Sequence, residues 1–328
     1  MNSSLTSDRQ RRMLVTALGD EIGKAMRDPC VVEIMLNPDG ALRLDRLGEG
    51  CFDTGTRLEP AQAERIIRLV ASHAQGEVDR EHPIISAELP PHADGRAGER
   101  FEGVLPPVSA APCFSIRKPA QRLYSIDDYL VDGLMSLPTA HALRAAIAQR
   151  DNILVAGGTS SGKTTLANAL LAEMEGLDTR IVQIEDTREL QSPLPDTVAL
   201  RTRPPLVTMS DLVRSTLRLR PDRIIVGEVR GPEALDMLKA WNTGHPGGIA
   251  TIHANSALAA LHRIEQLCQE AVVTVPRHLI AEAIDMIVFI AGRGLERRIS
   301  APVRVTGLDA GTGSYSLSDI VPPATKET

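Results

Sequence analysis

Apolar and polar residues alternate along this chain in two rhythms, and the change falls near residue 150. Upstream, the apolar runs are short and one-sided. Leu14, Leu18, Ile22 and Met26 recur four apart within residues 8–27, one stripe of an otherwise polar helix. Residues 31–36 and 41–44 read as strands around the turn Asn37-Pro-Asp-Gly40. Residues 61–74, with Ile66, Ile67, Leu69 and Val70, read as a second helix, and 113–116 as a last strand broken by Pro119. Between them, residues 83–112 are rich in proline and glycine, with Pro90-Pro91 and Pro106-Pro107.

Downstream, continuous apolar strands alternate with helices. A helix over 139–150 precedes strands at 153–156, 181–184, 224–227 and 249–252, with helices at 164–174, 211–219, 232–240 and 257–271. Strands of four or five unbroken apolar residues are buried on both faces, which predicts a mostly parallel sheet between two helix layers. The expected organisation is an α+β domain over 1–118, a linker over 119–137, and an α/β domain over 138–328.

Composition narrows the functional classes. A chain of 328 residues with 43% hydrophobic and 24% charged positions is an ordinary globular protein of about two domains. Its net charge is -6 and only 2% of its residues are aromatic. Direct nucleic-acid binding by a basic coat or by stacked bases is therefore not expected. The cysteines, Cys30, Cys51, Cys113 and Cys268, form no CxxC pair, which speaks against structural zinc and disulfides and for a reducing compartment. No apolar run approaches the length of a bilayer span, so the protein is expected to be cytoplasmic or peripheral to a membrane.

The most informative segment is Gly157-Gly-Thr-Ser-Ser-Gly-Lys-Thr164, which fits GxxxxGK[ST] between a strand and an amphipathic helix. Such a loop turns backbone N–H groups inward as an anion nest, and the helix N-terminus adds its positive end. Gly157, Gly158, Thr159, Ser160, Ser161, Gly162, Lys163, Thr164 and Thr165 are the candidate ATP-binding residues. Lys163 supplies charge to the β- and γ-phosphates and Thr164 a hydroxyl to Mg²⁺. Ser160 is strained if its φ is positive. Hydrolysis also needs a carboxylate and a group that senses the γ-phosphate. Three strand ends offer them: Glu228 after Ile224-Ile-Val-Gly, Glu185-Asp186 after Ile181-Val-Gln-Ile, and His253 after Gly247-Gly-Ile-Ala-Thr-Ile. Strand alternation sends Glu185 and Asp186 to opposite faces, so one is a candidate for water activation and the other for pairing with an arginine.

The ordered set of the P-loop, Glu185-Asp-Thr-Arg-Glu-Leu190, Arg220–Arg230 and Thr243–His253 resembles the secretion ATPase superfamily, in its Asp box, Walker B segment and His box respectively. Arg100-Phe-Glu-Gly-Val-Leu-Pro-Pro107 and Phe114-Ser-Ile-Arg-Lys-Pro119 resemble the type IV secretion branch, in particular its conjugative-transfer members. The resemblance implies a RecA-like P-loop domain behind a PAS-like N-terminal domain. It also implies a homo-hexameric ring that hydrolyses ATP to drive type IV secretion, conjugative transfer or pilus assembly, working with secretion or conjugation machinery at the cytoplasmic face of the inner membrane. By the same resemblance Glu228 and Glu185 are the acids of hydrolysis, with Glu228 also at the metal. His253 is linked to the γ-phosphate, and Arg100 and Arg117 reach the nucleotide from the N-terminal domain. Two other functions suit the same core: a DNA translocase or helicase, and a nucleotide-gated assembly scaffold. Seven arginines between 201 and 230 (Arg201, Arg203, Arg214, Arg218, Arg220, Arg223 and Arg230) fit a salt-bridged helix face, a subunit interface beside the nucleotide, or a DNA contact.

Overall fold

The computed structural model describes residues 2–91, 98–119, 123–292 and 294–320. The chain divides into two compact units, residues 1–121 and 122–328.

The first unit opens with helix α1 (Asn2–Arg27), interrupted at Gly19, followed by strands β1 (Val31–Leu36), β2 (Ala41–Arg46) and β3 (Gly50–Arg57). Helix α2 (Pro60–His73) leads to β4 (Ile84–Glu88), β5 (Arg100–Val104) and β6 (Cys113–Arg117). The six strands form one antiparallel sheet in the order β3-β2-β1-β6-β5-β4. Two local meanders are thus joined where β6 returns to pair with β1. Ile34, Phe101, Phe114 and Ile116 face α1 and α2 and make the core with Leu18, Ile22, Ile66, Ile67 and Val70. Strands β4 and β5 lie inside the proline- and glycine-rich stretch, where the residue pattern suggests none. Each is five residues long with only alternate residues facing the core, too weak a signal among prolines. Lys118 is buried and donates to the carbonyls of Asp28 (2.5 Å) and Ala25 (3.4 Å), closing the C-terminal end of α1.

The second unit begins earlier than the residue pattern suggests. Residues 120–122 of the expected linker lie outside the described residues. Its later part forms helix α3 (Ile126–Val131), whose Ile126 and Tyr129 are fully buried in the second unit's core. Helix α4 (Leu137–Gln149) precedes β7 (Ile153–Gly157), α5 (Lys163–Ala172), β8 (Ile181–Glu185), β9 (Thr197–Arg201), α6 (Met209–Thr216) and β10 (Arg223–Val229). Then follow α7 (Glu233–Asn242), β11 (Ile249–His253), α8 (Ala257–Gln269), α9 (Arg277–Ala283), β12 (Met286–Ala291), β13 (Arg298–Ile299), β14 (Val303–Leu308) and β15 (Tyr315–Asp319).

The sheet runs β15-β14-β12-β7-β11-β10-β8-β9, with β13 against β12. From β12 to β9 every pairing is parallel, and β13, β14 and β15 add antiparallel. One face packs on α6, α7, α8 and α9, and the other on α3, α4 and α5. The double cover explains why β7 is buried at all five positions and reads as unbroken Ile-Leu-Val-Ala-Gly.

Candidate active site

The site is built where the strands of the second unit end. Register brings three of those ends level: Gly157 of β7 lies opposite His253 of β11 on one side and Ile290 of β12 on the other. Buried Asn152 pins that register from below. Its Oδ1 accepts from the N–H groups of Gly247 and Gly248, both 2.9 Å, and its Nδ2 donates to the Ala283 carbonyl at 2.8 Å. The turns before β11 and β12 are thereby tied to the start of β7.

The loop from Gly157 to α5 needs its glycines in place. A Cβ on Gly157 would lie 2.6 Å from the Ser161 Oγ and 2.7 Å from the Ile290 carbonyl oxygen. Gly162, at φ 99°, sits in a region that L-residues avoid. Ser160 has φ 59°, so the strain anticipated for it is present. Helices α3, α4, α6 and α8 begin on a Ser or Thr whose side chain accepts from the first turn, whereas α5 begins on Gly162 with no side-chain cap. The N-terminus of α5 is thus left without a side-chain cap at the loop, which suits the oxygens of a phosphate chain.

Lys163 reaches back over the loop, its Nζ 3.0 Å from the Gly158 carbonyl and 3.3 and 3.4 Å from the two ring nitrogens of His253. His253 Nε2 meets Glu228 Oε1 at 2.5 Å, and the Arg230 guanidinium grips Glu228 Oε2. Arg230 also lies 3.7 Å from Asp186, which accepts from the Thr202 hydroxyl at 2.9 Å. Lys163, His253 and Glu228 therefore form one continuous polar chain beside the loop, extended through Arg230 to Asp186.

Glu228 is aimed by a β-bulge. Pairing of β10 with β11 shifts between Val226 and Val229, and Val229 packs in the same core as Ile224 and Val226. The extra residue at 227–228 resets strand alternation, so the acid leaves the core while Val229 returns to it. Thr251 holds the bulge, its hydroxyl donating to the Gly227 carbonyl at 2.6 Å.

Glu185 and Asp186 separate, as strand alternation requires. Glu185 is buried on the α5 side, and its Oε1 accepts from the N–H groups of Glu189 (2.9 Å) and Leu190 (2.7 Å). Burial pushes its carboxyl up to about 7, against the pull of those two N–H groups. Asn168 of α5 clamps the same loop, donating to the Glu189 carbonyl and accepting from the Gln191 N–H. Glu185 is thus engaged in holding the loop after β8, and Asp186 takes the arginine.

Arg100 and Arg117 lie in the first unit as directly opposed residues of β5 and β6, on the sheet face away from the helices. Glu33 flanks Arg117 and Glu88 flanks Arg100 in register. The arginines of 201–230 are divided among different tasks. Arg214 pairs with Asp236 at 2.9 Å, Arg230 pairs with Glu228, and buried Arg223 donates to the Ile147 carbonyl at 3.0 Å, near the end of α4. The four cysteines are all free. Among the described residues there is no cluster of three His, Cys, Asp or Glu suited to a metal, and no helix is long and apolar enough to cross a membrane. Of the two residues expected at Mg²⁺, Thr164 lies in the first turn of α5, and Glu228 shares its carboxylate with His253 and Arg230.

A parallel sheet with a glycine loop at one strand end and an acid and a histidine at the neighbouring ends defines a P-loop nucleotide-binding protein. Residues 43–299 match the family described as type II/IV secretion system protein, and the chain belongs to that family. The conjugal transfer protein TrbB of Rhizobium radiobacter is 50% identical over 298 residues, 90% of either chain. The type IV secretion system protein VirB11 of Bartonella henselae is 32% identical over 317 residues, spanning 83% of this chain and 86% of that protein. The solved ATPase DotB of Legionella pneumophila superposes with a TM-score of 0.59 at 19% identity, covering 86% of this chain and 78% of that one, a likeness of fold.

Proposed function

We propose that the protein is a Mg²⁺-dependent ATPase that powers type IV secretion in the form of conjugal transfer. It works as a homo-hexameric ring at the cytoplasmic face of the inner membrane. The observation that carries the chemistry is the convergence of Lys163, His253 and Glu228 beside the uncapped N-terminus of α5. The relatives carry the biological setting. In this reading the second unit is RecA-like and the first PAS-like.

Each residue then has a task. The loop N–H groups and Lys163 hold the β- and γ-phosphates. Thr164 and Glu228 would hold Mg²⁺, whose charge would offset that of the phosphates. Glu228 orients the attacking water and accepts its proton as the bond between the γ-phosphorus and the β–γ bridging oxygen breaks, releasing ADP and phosphate. His253, bonded to Glu228 and next to Lys163, links the acid to the phosphate end. Glu185 acts through the loop it holds. Arg100 and Arg117 add positive charge that favours ATP over ADP.

The test is phosphate release alongside nucleotide binding and light-scattering mass, with and without ATP. Lys163→Ala should lower turnover more than a hundredfold, in line with the roughly 3 kcal/mol of a lost oxyanion contact. Glu228→Gln should bind ATP and lose hydrolysis. Turnover within threefold of wild type in Lys163→Ala would remove the assignment.

A further inference from the structure

The strand that feeds the P-loop has two neighbours, and the groups they bring differ. β11, with β10 beyond it, carries His253 and Glu228. On the opposite side β12 ends level with Gly157 and the chain returns through 294–297 to β13. That return delivers Arg297 to the loop. A Cβ on Gly162 would lie 3.0 Å from the Arg297 Cζ, 3.1 Å from its Nε and 3.4 Å from an Nη. The guanidinium therefore packs on the residue immediately before Lys163, at the N-terminus of α5.

Among the described residues this cation has no counter-charge. Its Nε is buried without a hydrogen-bond partner, and so is the hydroxyl of Tyr129, whose pKa is raised by burial against the opposing pull of the Arg297 charge. A partly desolvated guanidinium packed on Gly162, at the positive end of a helix, is electrostatically unfavourable unless an anion joins it. The loop is built to take one.

We propose that Arg297 is a phosphate-binding residue of the nucleotide site and holds the α-phosphate end of the chain. The strand order sets the direction. The hydrolytic groups lie on the β11 side, so the γ-phosphate belongs there and the remainder of the nucleotide runs toward β12 and Arg297. Unlike the residues on the β11 side, Arg297 then contributes equally to ATP and ADP.

This inference rests on the nucleotide reading above, and one set of titrations separates the two. Full-length wild type, Arg297→Ala, Arg297→Lys and Lys163→Ala are titrated with ATP and ADP, with tripolyphosphate as a competitor that lacks the nucleoside. Arg297→Ala should weaken ATP and ADP alike by about tenfold, as for a lost charge-assisted bond. The Ki of tripolyphosphate should rise in parallel, Arg297→Lys should recover part of the loss, and the effect should appear in KM far more than in kcat. Unchanged ADP affinity overturns the proposal. So does a loss confined to nucleotides with tripolyphosphate unaffected, which would assign Arg297 to the base. A parallel fall in kcat and Tm would make it a brace of the loop instead. A wild-type protein that binds neither nucleotide nor tripolyphosphate removes the nucleotide reading and this proposal with it.

Discussion

The two sheets of this molecule place polar groups in opposite ways. In the first unit the antiparallel sheet is covered on one face, and the other carries Glu33, Arg117, Arg100 and Glu88 in a row across four strands. In the second unit both faces are covered, and the chemistry is confined to the rim where Gly157, Glu228 and His253 end their strands. An open face tolerates charge anywhere along a strand, because water solvates it. A doubly covered sheet tolerates it only at strand ends, or where partners are built in, as for Asn152 and Thr251. The first arrangement leaves charge loosely specified. The second fixes it through strand register.

If that contrast holds, substitutions at the rim should act on stability and chemistry together, and those on the open face on chemistry alone. The largest effect is expected at Gly157. Its missing Cβ would meet the Ser161 Oγ and the Ile290 backbone and side chain, so Gly157→Ala should cost on the order of 3 kcal/mol in urea unfolding. Gly158→Ala, with nothing within 4 Å, should stay within about 0.5 kcal/mol. Equal losses would show that the loop is not held by the neighbouring strand.

Next comes Glu185. Its carboxyl titrates at about 7 in the folded protein, above the roughly 4.3 of an exposed glutamate. The native state therefore keeps a proton that the unfolded chain loses. The associated stability is complete below about pH 4.3 and declines as pH rises to about 7. Glu185→Gln retains an oxygen for the Glu189 and Leu190 N–H groups and removes that slope. Relative to wild type it should gain on the order of 2 kcal/mol between pH 5 and pH 8, read from unfolding curves at each pH. A pH-independent difference would mean that Glu185 is ionised in the native state throughout.

The smallest stability effect is expected on the open face. Arg117→Ala removes one like-charge neighbour, Arg100, and one opposite-charge neighbour, Glu33, so its stability should change by no more than about 0.5 kcal/mol. Turnover should nonetheless fall strongly. Mixing with Lys163→Ala subunits should restore nothing if Arg117 serves its own chain's nucleotide, and should restore activity if it serves a neighbour's. A loss of several kcal/mol would make the arginine a structural member of the sheet.

Legibility in the sequence followed the same contrast. The P-loop and the buried strands around it are written in contiguous residues, since double burial demands unbroken apolar runs and the anion nest demands glycines at set positions. β4 and β5 were illegible because half of each strand faces away from the core and prolines surround them. β9, at the edge of its sheet, was missed for a similar reason, with no position fully buried. β14 and β15 mix polar and apolar residues and extend the sheet from outside its parallel core. In the site, Glu228, His253 and the separation of Glu185 from Asp186 could be read from strand ends and alternation. The roles of Asn152, Asn168 and Thr251 could not, because an isolated polar residue in an apolar segment carries no mark of what it will bond.

What the sequence determined by itself was the local chemistry: a phosphate loop on a strand–helix junction, acids and a histidine at strand ends, and the change to unbroken apolar strands near residue 150, inside the second unit. Tertiary structure alone decided which of those ends became neighbours. The bulge at 227–228 turned Glu228 out of the core toward His253, and burial committed Glu185 to the backbone of its own loop. Parallel pairing of β12 with β7 brought the following return, and Arg297, against Gly162 from 135 positions away in the chain. Local residue types set what a segment can bond. Pairing across a sheet is a choice among many distant partners, made by the collective burial of apolar faces, so it leaves no signature in any one segment.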